Sequence, residues 1–205
     1  MYCSSVWLLS CQCKSQIHSV TRTCYMHIHM LKKLKKHLTA PALHMLVHAF
    51  IISRLDYANS LYYGIPDYLI AKLQRVQNMA ARLIHSLRYD DPITAAFIQL
   101  HWLPIRQRIC YKIAVLTYKC GNDTAPKYLS SLLEWTKPTR LRSSDTKLLK
   151  VTRTRLKYAG DRSFRVAAPR IWNNLPHSVR HADSITVFKS KLKYHLFQQA
   201  YSISI

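Results

Sequence analysis

Two adjacent carboxylates, Asp90 and Asp91, are the residues whose type and spacing come nearest to a catalytic metal site. In a Tyr-x-Asp-Asp motif, paired aspartates bind two Mg²⁺ ions that activate a hydroxyl nucleophile and stabilise the leaving group. Here Tyr89 precedes the pair directly, so the intervening residue is missing, and Pro92 follows where a strand would have to continue. Asp-Pro is a common turn sequence. The pattern therefore favours a turn that ends a helix over a metal site.

A second set of possible ligands lies near the N-terminus, where Cys11, Cys13 and Cys24 precede His27 and His29. Structural zinc sites space their ligands as Cys-x₂₋₄-Cys and His-x₃₋₅-His, and neither Cys-x-Cys nor His-x-His fits that pattern. The six cysteines are irregularly spaced, which indicates reduced thiols in an intracellular protein, with nucleus and cytoplasm both open. We expect no metal, no cofactor and no catalytic residue.

The strongest chemical signal is charge. The chain has 31 Lys+Arg against 9 Asp+Glu, a formal net charge of +22, and residues 101–205 hold 20 basic residues against 5 acidic ones. Ordinary surfaces mix both signs, so the segment around 140–170 is either a solvated surface or, as we favour, a strip that binds a polyanion through its phosphates. The candidate contacts are Arg140, Arg142, Lys147, Lys150, Arg153, Arg155, Lys157, Arg162 and Arg165.

Aromatic residues border this strip. Tyr158, Phe164 and Trp172 could stack on bases, although core packing is the favoured role for Trp172.

The elements that must position these residues are predicted to be helices. Apolar residues spaced three and four apart predict helices at about 16–38, from Pro41, at 66–87, 104–120 and 184–201, and short ones at 92–99 and 126–133. In the helix after Pro41, Leu43, Leu46, Val47, Phe50 and Ile51 form an apolar stripe. Residues 136–163 lack this period. Within them, 148–158 predicts either a short hairpin or a loop that becomes ordered on binding.

Two of these helices carry a cationic face beside the apolar one. Lys72, Arg75 and Arg82 project from the helix at 66–87, and Arg108 and Lys112 share a flank of the helix at 104–120. These five residues complete the set of candidate phosphate contacts.

Several segments, taken in order, resemble the end of the reverse transcriptase of non-LTR retrotransposons of the LINE, jockey and chicken-repeat types. They are Leu43–Tyr63, Leu73–Ile84, Leu100–Ile105, Thr124–Leu129, Leu141–Ser144, Gly160–Pro176 and Phe188–Phe197. The resemblance covers about 16–201. It implies the helical thumb and C-terminal extension that follow a catalytic palm, gripping RNA, an RNA–DNA hybrid or DNA without reading sequence.

On this resemblance we expect a mainly α protein with four parts. Residues 1–15 are an atypical, disordered N-terminus, 16–99 a helical thumb-like region, 100–135 a helical connector, and 136–205 a basic extension that ends in a helix. The catalytic palm segments are missing, so we expect a truncated fragment that is not an enzyme on its own, with the missing palm as a possible partner. Val47–Ile52 could be the surface that packs on this missing palm.

The alternative is a basic amphipathic protein that acts at a membrane surface or as a scaffold. No membrane span is expected, because the longest apolar run, at about 43–52, is too short.

Overall fold

A computed structural model of the chain describes residues 3–136, 147–154 and 160–201, with side chains from Gln12 onward. This part of the chain is mainly α-helical, which confirms the predicted fold class, and none of its residues belongs to a β-strand. The α-helices are α1 (Cys3–Leu34), α2 (Ala40–Val47), α3 (Ser53–Asp56), α4 (Asp67–His85), α5 (Thr94–Gln99), α6 (Ile105–Gly121), α7 (Lys127–Ser130), α8 (Phe164–Asn173), α9 (His177–Arg180) and α10 (Ile185–Tyr201).

The chain divides into two compact units, Met1–Arg108 (unit 1) and Ile109–Ile205 (unit 2). The boundary falls inside α6, whereas the sequence led us to expect boundaries after residues 99 and 135. A single apolar spacing runs through 105–120, so the pattern gave no sign of a division there.

Helix α1 begins at Cys3, well before the predicted start at Gln16. The helix thus includes most of the segment 1–15, which the sequence led us to expect as a disordered N-terminus. Residues 3–15 contain neither Gly nor Pro, and extending an existing helix costs far less than nucleating a new one. Farther along, Ile17, Cys24 and Ile28 form the buried face of α1, as their helical spacing requires.

Helices α1 and α4 pack side by side in the same direction. Near the start of α4, the ammonium nitrogen of Lys72 lies 3.1 Å from Nε2 of His18 in the middle of α1. At the other end, the ammonium of Lys35 donates to the carbonyl oxygen of Leu83 and to Oγ of Ser86, both at 2.6 Å. A cation there satisfies an open carbonyl and complements the negative end of the α4 dipole. Lys35 therefore stabilises the end of α4.

Two of the predicted helix starts at proline are confirmed as follows. Helix α2 begins at the residue before Pro41, and Oγ1 of Thr39 caps it by accepting from the backbone N–H of Ala42. Helix α4 begins at Asp67, directly after Pro66. Proline suits this position because the first N–H groups of a helix have no partner within the helix.

A π-helical turn at His48–Ile52 joins α2 to α3 in one continuous helix. The extra residue of such a turn rotates the helix face. As a result both Ile51 and Ile52 are buried, whereas Phe50 is exposed and stacks on the ring of His27, with centroids 5.2 Å apart. Regular helical spacing cannot anticipate this turn, so the exposure of Phe50 does not follow from its place in the apolar stripe.

A polar network crosses the core of unit 1. The amide of Gln77 is fully buried and donates to the carbonyl oxygen of Leu103 at 2.9 Å. Next to it, Gln74 donates to Oε1 of Gln77 at 3.1 Å and accepts from the N–H of Ile105 at 3.0 Å. Buried backbone groups need such partners, so these side chains fix the segment before α6 against α4.

Arg108 extends the same network. Its Nε donates to the carbonyl oxygen of Leu103 at 2.8 Å, and its Nη1 lies 2.7 Å from Oδ2 of Asp56. The Arg108 side chain is only 14% exposed. This arginine therefore holds together the end of α3 and the start of α6.

Stacked rings form the centre of unit 2. The ring of Tyr118 lies 4.3 Å from that of Phe188 at an angle of 22°, and Trp172 lies 5.8 Å from Phe188. The hydroxyl of Tyr118 donates to the carbonyl oxygen of Ala182 at 2.9 Å. These contacts join α6, α8 and α10, and they confirm that Trp172 packs in the core. Ser184 caps the start of α10, because its Oγ accepts from the N–H of Val187.

Replacing Arg108 with Met should lower the free energy of unfolding by about 2 kcal/mol, since Asp56 and the Leu103 carbonyl lose a largely buried partner. Arg106 offers a matched control on the same helix. Its pair with Asp67 is 60% and 83% exposed, so Arg106→Met should cost less than about 1 kcal/mol for the same loss of charge. Urea unfolding followed by circular dichroism measures both, and equal losses would contradict the structural role of Arg108.

Candidate nucleic-acid interface

The described part of the basic strip runs beside the chain that follows α7. Trp135 and Leu149 form an isolated antiparallel bridge. The N–H of Lys150 donates to the carbonyl oxygen of Glu134 at 2.8 Å, and the N–H of Thr136 donates to that of Leu148 at 2.9 Å. Residues 148–150 therefore pair with 134–136, whereas residues 155–158, on which the choice between a hairpin and a loop depends, lie outside the described residues.

Asn173, at the end of α8, holds the strip from the other side. Its Oδ1 accepts from the N–H of Leu149 at 3.0 Å, and its Nδ2 donates to the carbonyl oxygen of Leu149 at 2.8 Å. The amide therefore satisfies both backbone groups of a residue whose side chain is only 2% exposed. This pair of bonds fixes the backbone of the strip to α8.

A second anchor lies two residues earlier. The indole N–H of Trp172 donates to the carbonyl oxygen of Lys147 at 2.7 Å, and Nη1 of Arg180 donates to the same oxygen at 3.4 Å. Arg180 also donates to the carbonyl oxygen of Leu175 at 3.0 Å. Because the backbone carries these bonds, the side chains of Lys147 and Lys150 remain exposed. The anchors hold cations on the surface of unit 2.

Two cations of the strip meet at one carboxylate, and we call Glu134, Lys150 and Arg165 the Glu134 cluster. The ammonium of Lys150 lies 3.1 Å from Oε2 of Glu134, and Nη2 of Arg165 lies 3.5 Å from Oε1. The hydrogen bond from Lys150, its charge and that of Arg165 hold the pKa of Glu134 below its usual range. All three side chains are about half exposed or more, so these ion pairs contribute little to stability.

Asp161 partly neutralises the positive charge of the neighbouring part of the strip as well. Oδ1 of Asp161 accepts from Nη2 of Arg170 at 3.0 Å and from the hydroxyl of Thr154 at 3.1 Å. Arg153 is exposed, and Arg162 is partly exposed. Four candidates, Arg140, Arg142, Arg155 and Lys157, lie outside the described residues, as does Tyr158, while Phe164 is partly exposed.

The candidates on helices have different surroundings. Arg75 is exposed on α4, and Lys72 beside it lies next to His18. Arg82 instead donates to the carbonyl oxygens of Arg88 and Asp91 and lies 5.6 Å from the ring of Tyr89. Arg82 therefore holds the loop after α4.

Of the two candidates on α6, Lys112 is exposed within unit 2. Arg108 belongs to the polar network of unit 1. The structure thus brings Lys150 and Arg165 to one carboxylate, and it gives Arg82 and Arg108 internal bonds.

Asp90, Asp91, Cys13 and Cys24, which belong to the two metal hypotheses, lie in the part of the chain that the structure describes with side chains. Tyr89, Asp90 and Asp91 lie in the loop after α4, where Oδ2 of Asp91 accepts from the N–H of Arg88 at 2.6 Å. Burial raises the pKa of the Cys24 thiol to about 11, partly offset by the charge of Arg54, so little of the metal-binding thiolate forms at neutral pH. No group of three or more ligands is seen among the described side chains.

Sequence reasoning missed the residues that hold the strip. Asn173 was not among the candidate residues, and Leu149 lies in the stretch 136–163, which lacks a helical period. An amide between buried Trp172 and buried Leu175 was the available signal, because a polar group so placed needs a partner.

Comparison with known proteins assigns the chain to no family. No protein-family model, no curated protein and no solved structure matches the chain. Within the described residues, no helix combines the length and the apolar character needed to cross a membrane.

Replacing Asn173 with Ala should lower the free energy of unfolding by about 1–3 kcal/mol, because both backbone groups of Leu149 lose their partner. Asn174, its exposed neighbour, supplies the control, and Asn174→Ala should change stability by less than about 0.5 kcal/mol. Urea unfolding measures both variants. If Asn173→Ala were as mild as Asn174→Ala, the anchor would contribute nothing to the fold.

Proposed function

We propose that the chain binds the phosphate backbone of nucleic acid, RNA or an RNA–DNA hybrid above all, through the basic surface of unit 2. One observation carries the proposal. Asn173 and Trp172 hold the backbone at Leu149 and Lys147, so that exposed cations on either side of Leu149 keep fixed positions. A pre-positioned cation loses less side-chain and loop entropy on binding than one on a free segment.

The Glu134 cluster supports the same role. Lys150 and Arg165 are 15 positions apart in sequence yet contact the same carboxylate. Their spacing around one oxyanion is what a phosphate would need, and arginine in particular matches phosphate geometry. Since the existing pairs are exposed and weak, a phosphate can take the place of Glu134.

Unit 1 offers a smaller contribution through Arg75 and Lys72 on α4. Arg82 and Arg108 act in the fold instead, because their donors already bond to backbone carbonyls and to Asp56. Phosphate contacts of this kind fix position without reading bases, so we expect weak sequence preference.

The resemblance to the thumb and C-terminal extension of non-LTR retrotransposon reverse transcriptases leads to the same proposal, since such a region grips a duplex by its backbone. We propose no catalysis by this chain alone. The charge asymmetry of residues 101–205, at 20 basic against 5 acidic, is the independent support from composition.

Binding of an RNA–DNA hybrid across a salt series tests the proposal, with anionic vesicles as the competing surface. We expect a log–log slope equivalent to roughly six or more phosphates and little dependence on sequence. Lys150→Gln and Arg165→Gln should each reduce the slope by about one. Tight vesicle binding with a weak response to the hybrid would overturn the proposal and favour the membrane-surface alternative.

The variant Glu134→Gln tests the role of the Glu134 cluster in the same hybrid-binding experiment. Removing the competing carboxylate should tighten hybrid binding roughly threefold to tenfold, by analogy with the energies of close charge pairs near a surface. Asp123→Asn gives the same change of charge at an exposed position outside the cluster, where Asn tolerates the positive φ of 52°. It should change affinity less than about twofold. Equal effects of the two variants would show that net charge alone matters.

A further inference from the structure

A shallow cavity of about 230 Å³ opens beside the end of α6, next to the anchored strip. Trp135 lies on its wall with 36% of its surface exposed, and Asn122, Lys147 and Arg180 lie around it. Among the described residues that line the cavity, two are basic and none is acidic. An aromatic face in a cationic surface is the usual composition of a site for single-stranded nucleic acid.

The indole of Trp135 is held in place. Trp172 packs against it edge to face, with ring centroids 5.8 Å apart at 88°. On another side the ring lies against Gly121, where an added Cβ would come within 2.7 Å of Cζ2. The backbone of Trp135 is paired with Leu149. The ring is therefore a rigid platform, and a ligand stacked on it orders little that is not already ordered.

We infer that Trp135 stacks on an unpaired nucleobase, while Lys147 contacts a phosphate of the same strand. The inference rests on the proposed function and deepens it, because it specifies single-stranded stretches as part of what is bound. The cationic lining favours a nucleotide over an apolar side chain. Every base offers an aromatic face, so the site does not select sequence.

A pair of single-stranded oligonucleotides tests the inference, one with bases and one abasic along the same backbone. Stacking on one tryptophan should make the chain bind the base-bearing strand roughly tenfold more tightly. Trp135→Ala should abolish this preference without changing affinity for the abasic strand, whereas Trp135→Phe should keep most of it. Thermal melting monitored by circular dichroism verifies that each variant folds.

Gly121→Ala provides a second, independent variant, because its methyl group displaces the ring of Trp135 and should also remove the preference. Equal affinity of the unaltered chain for both strands would overturn the stacking site while leaving the phosphate contacts intact. A preference that survives Trp135→Ala would overturn it too. If neither strand binds while the RNA–DNA hybrid does, only the single-strand inference is overturned; if the hybrid also fails to bind, the proposed function itself is wrong.

Discussion

The backbone of Leu149 gives both of its hydrogen-bonding groups to one side chain, that of Asn173, and the surface of unit 2 depends on this pair of bonds. The segment around it carries 11 basic residues between Lys137 and Arg170 and would repel itself in water. Its few apolar residues cannot offset that repulsion alone. Hydrogen bonds to the backbone hold the segment in place despite this repulsion, because they do not involve its charged side chains.

In this protein, the residues that stabilise the fold are therefore different from the cations that are exposed at the surface. The groups that stabilise the fold are buried amides and a shielded guanidinium, such as Gln77 and Arg108 in unit 1 and Asn173 in unit 2. The cations at the surface, such as Lys150 and Arg165, make only exposed ion pairs, which can be exchanged for a ligand at little cost. At such a binding surface, a ligand can replace the carboxylate in an ion pair without destabilising the core.

Much of the fold follows from the sequence, since apolar spacing predicts α4, α6 and α10 and the proline starts predict α2 and α4. What the spacing could not predict has physical causes. The π-turn at His48–Ile52 moves Phe50 out of the core, and Arg82 turns back to bond the loop after α4. Long-range bonds such as Asn173 to Leu149 leave no periodic signal, so the candidate cations were predictable but their anchor was not.

Hydrogen exchange at the amide of Leu149 tests most directly whether the strip is anchored to α8. If Asn173 accepts from this amide in solution, its protection should be comparable with that of amides inside α8, such as that of Ala168. Exchange at the rate of an unstructured peptide, with α8 still protected, would contradict the account, because the cations around Leu149 would then have no fixed positions.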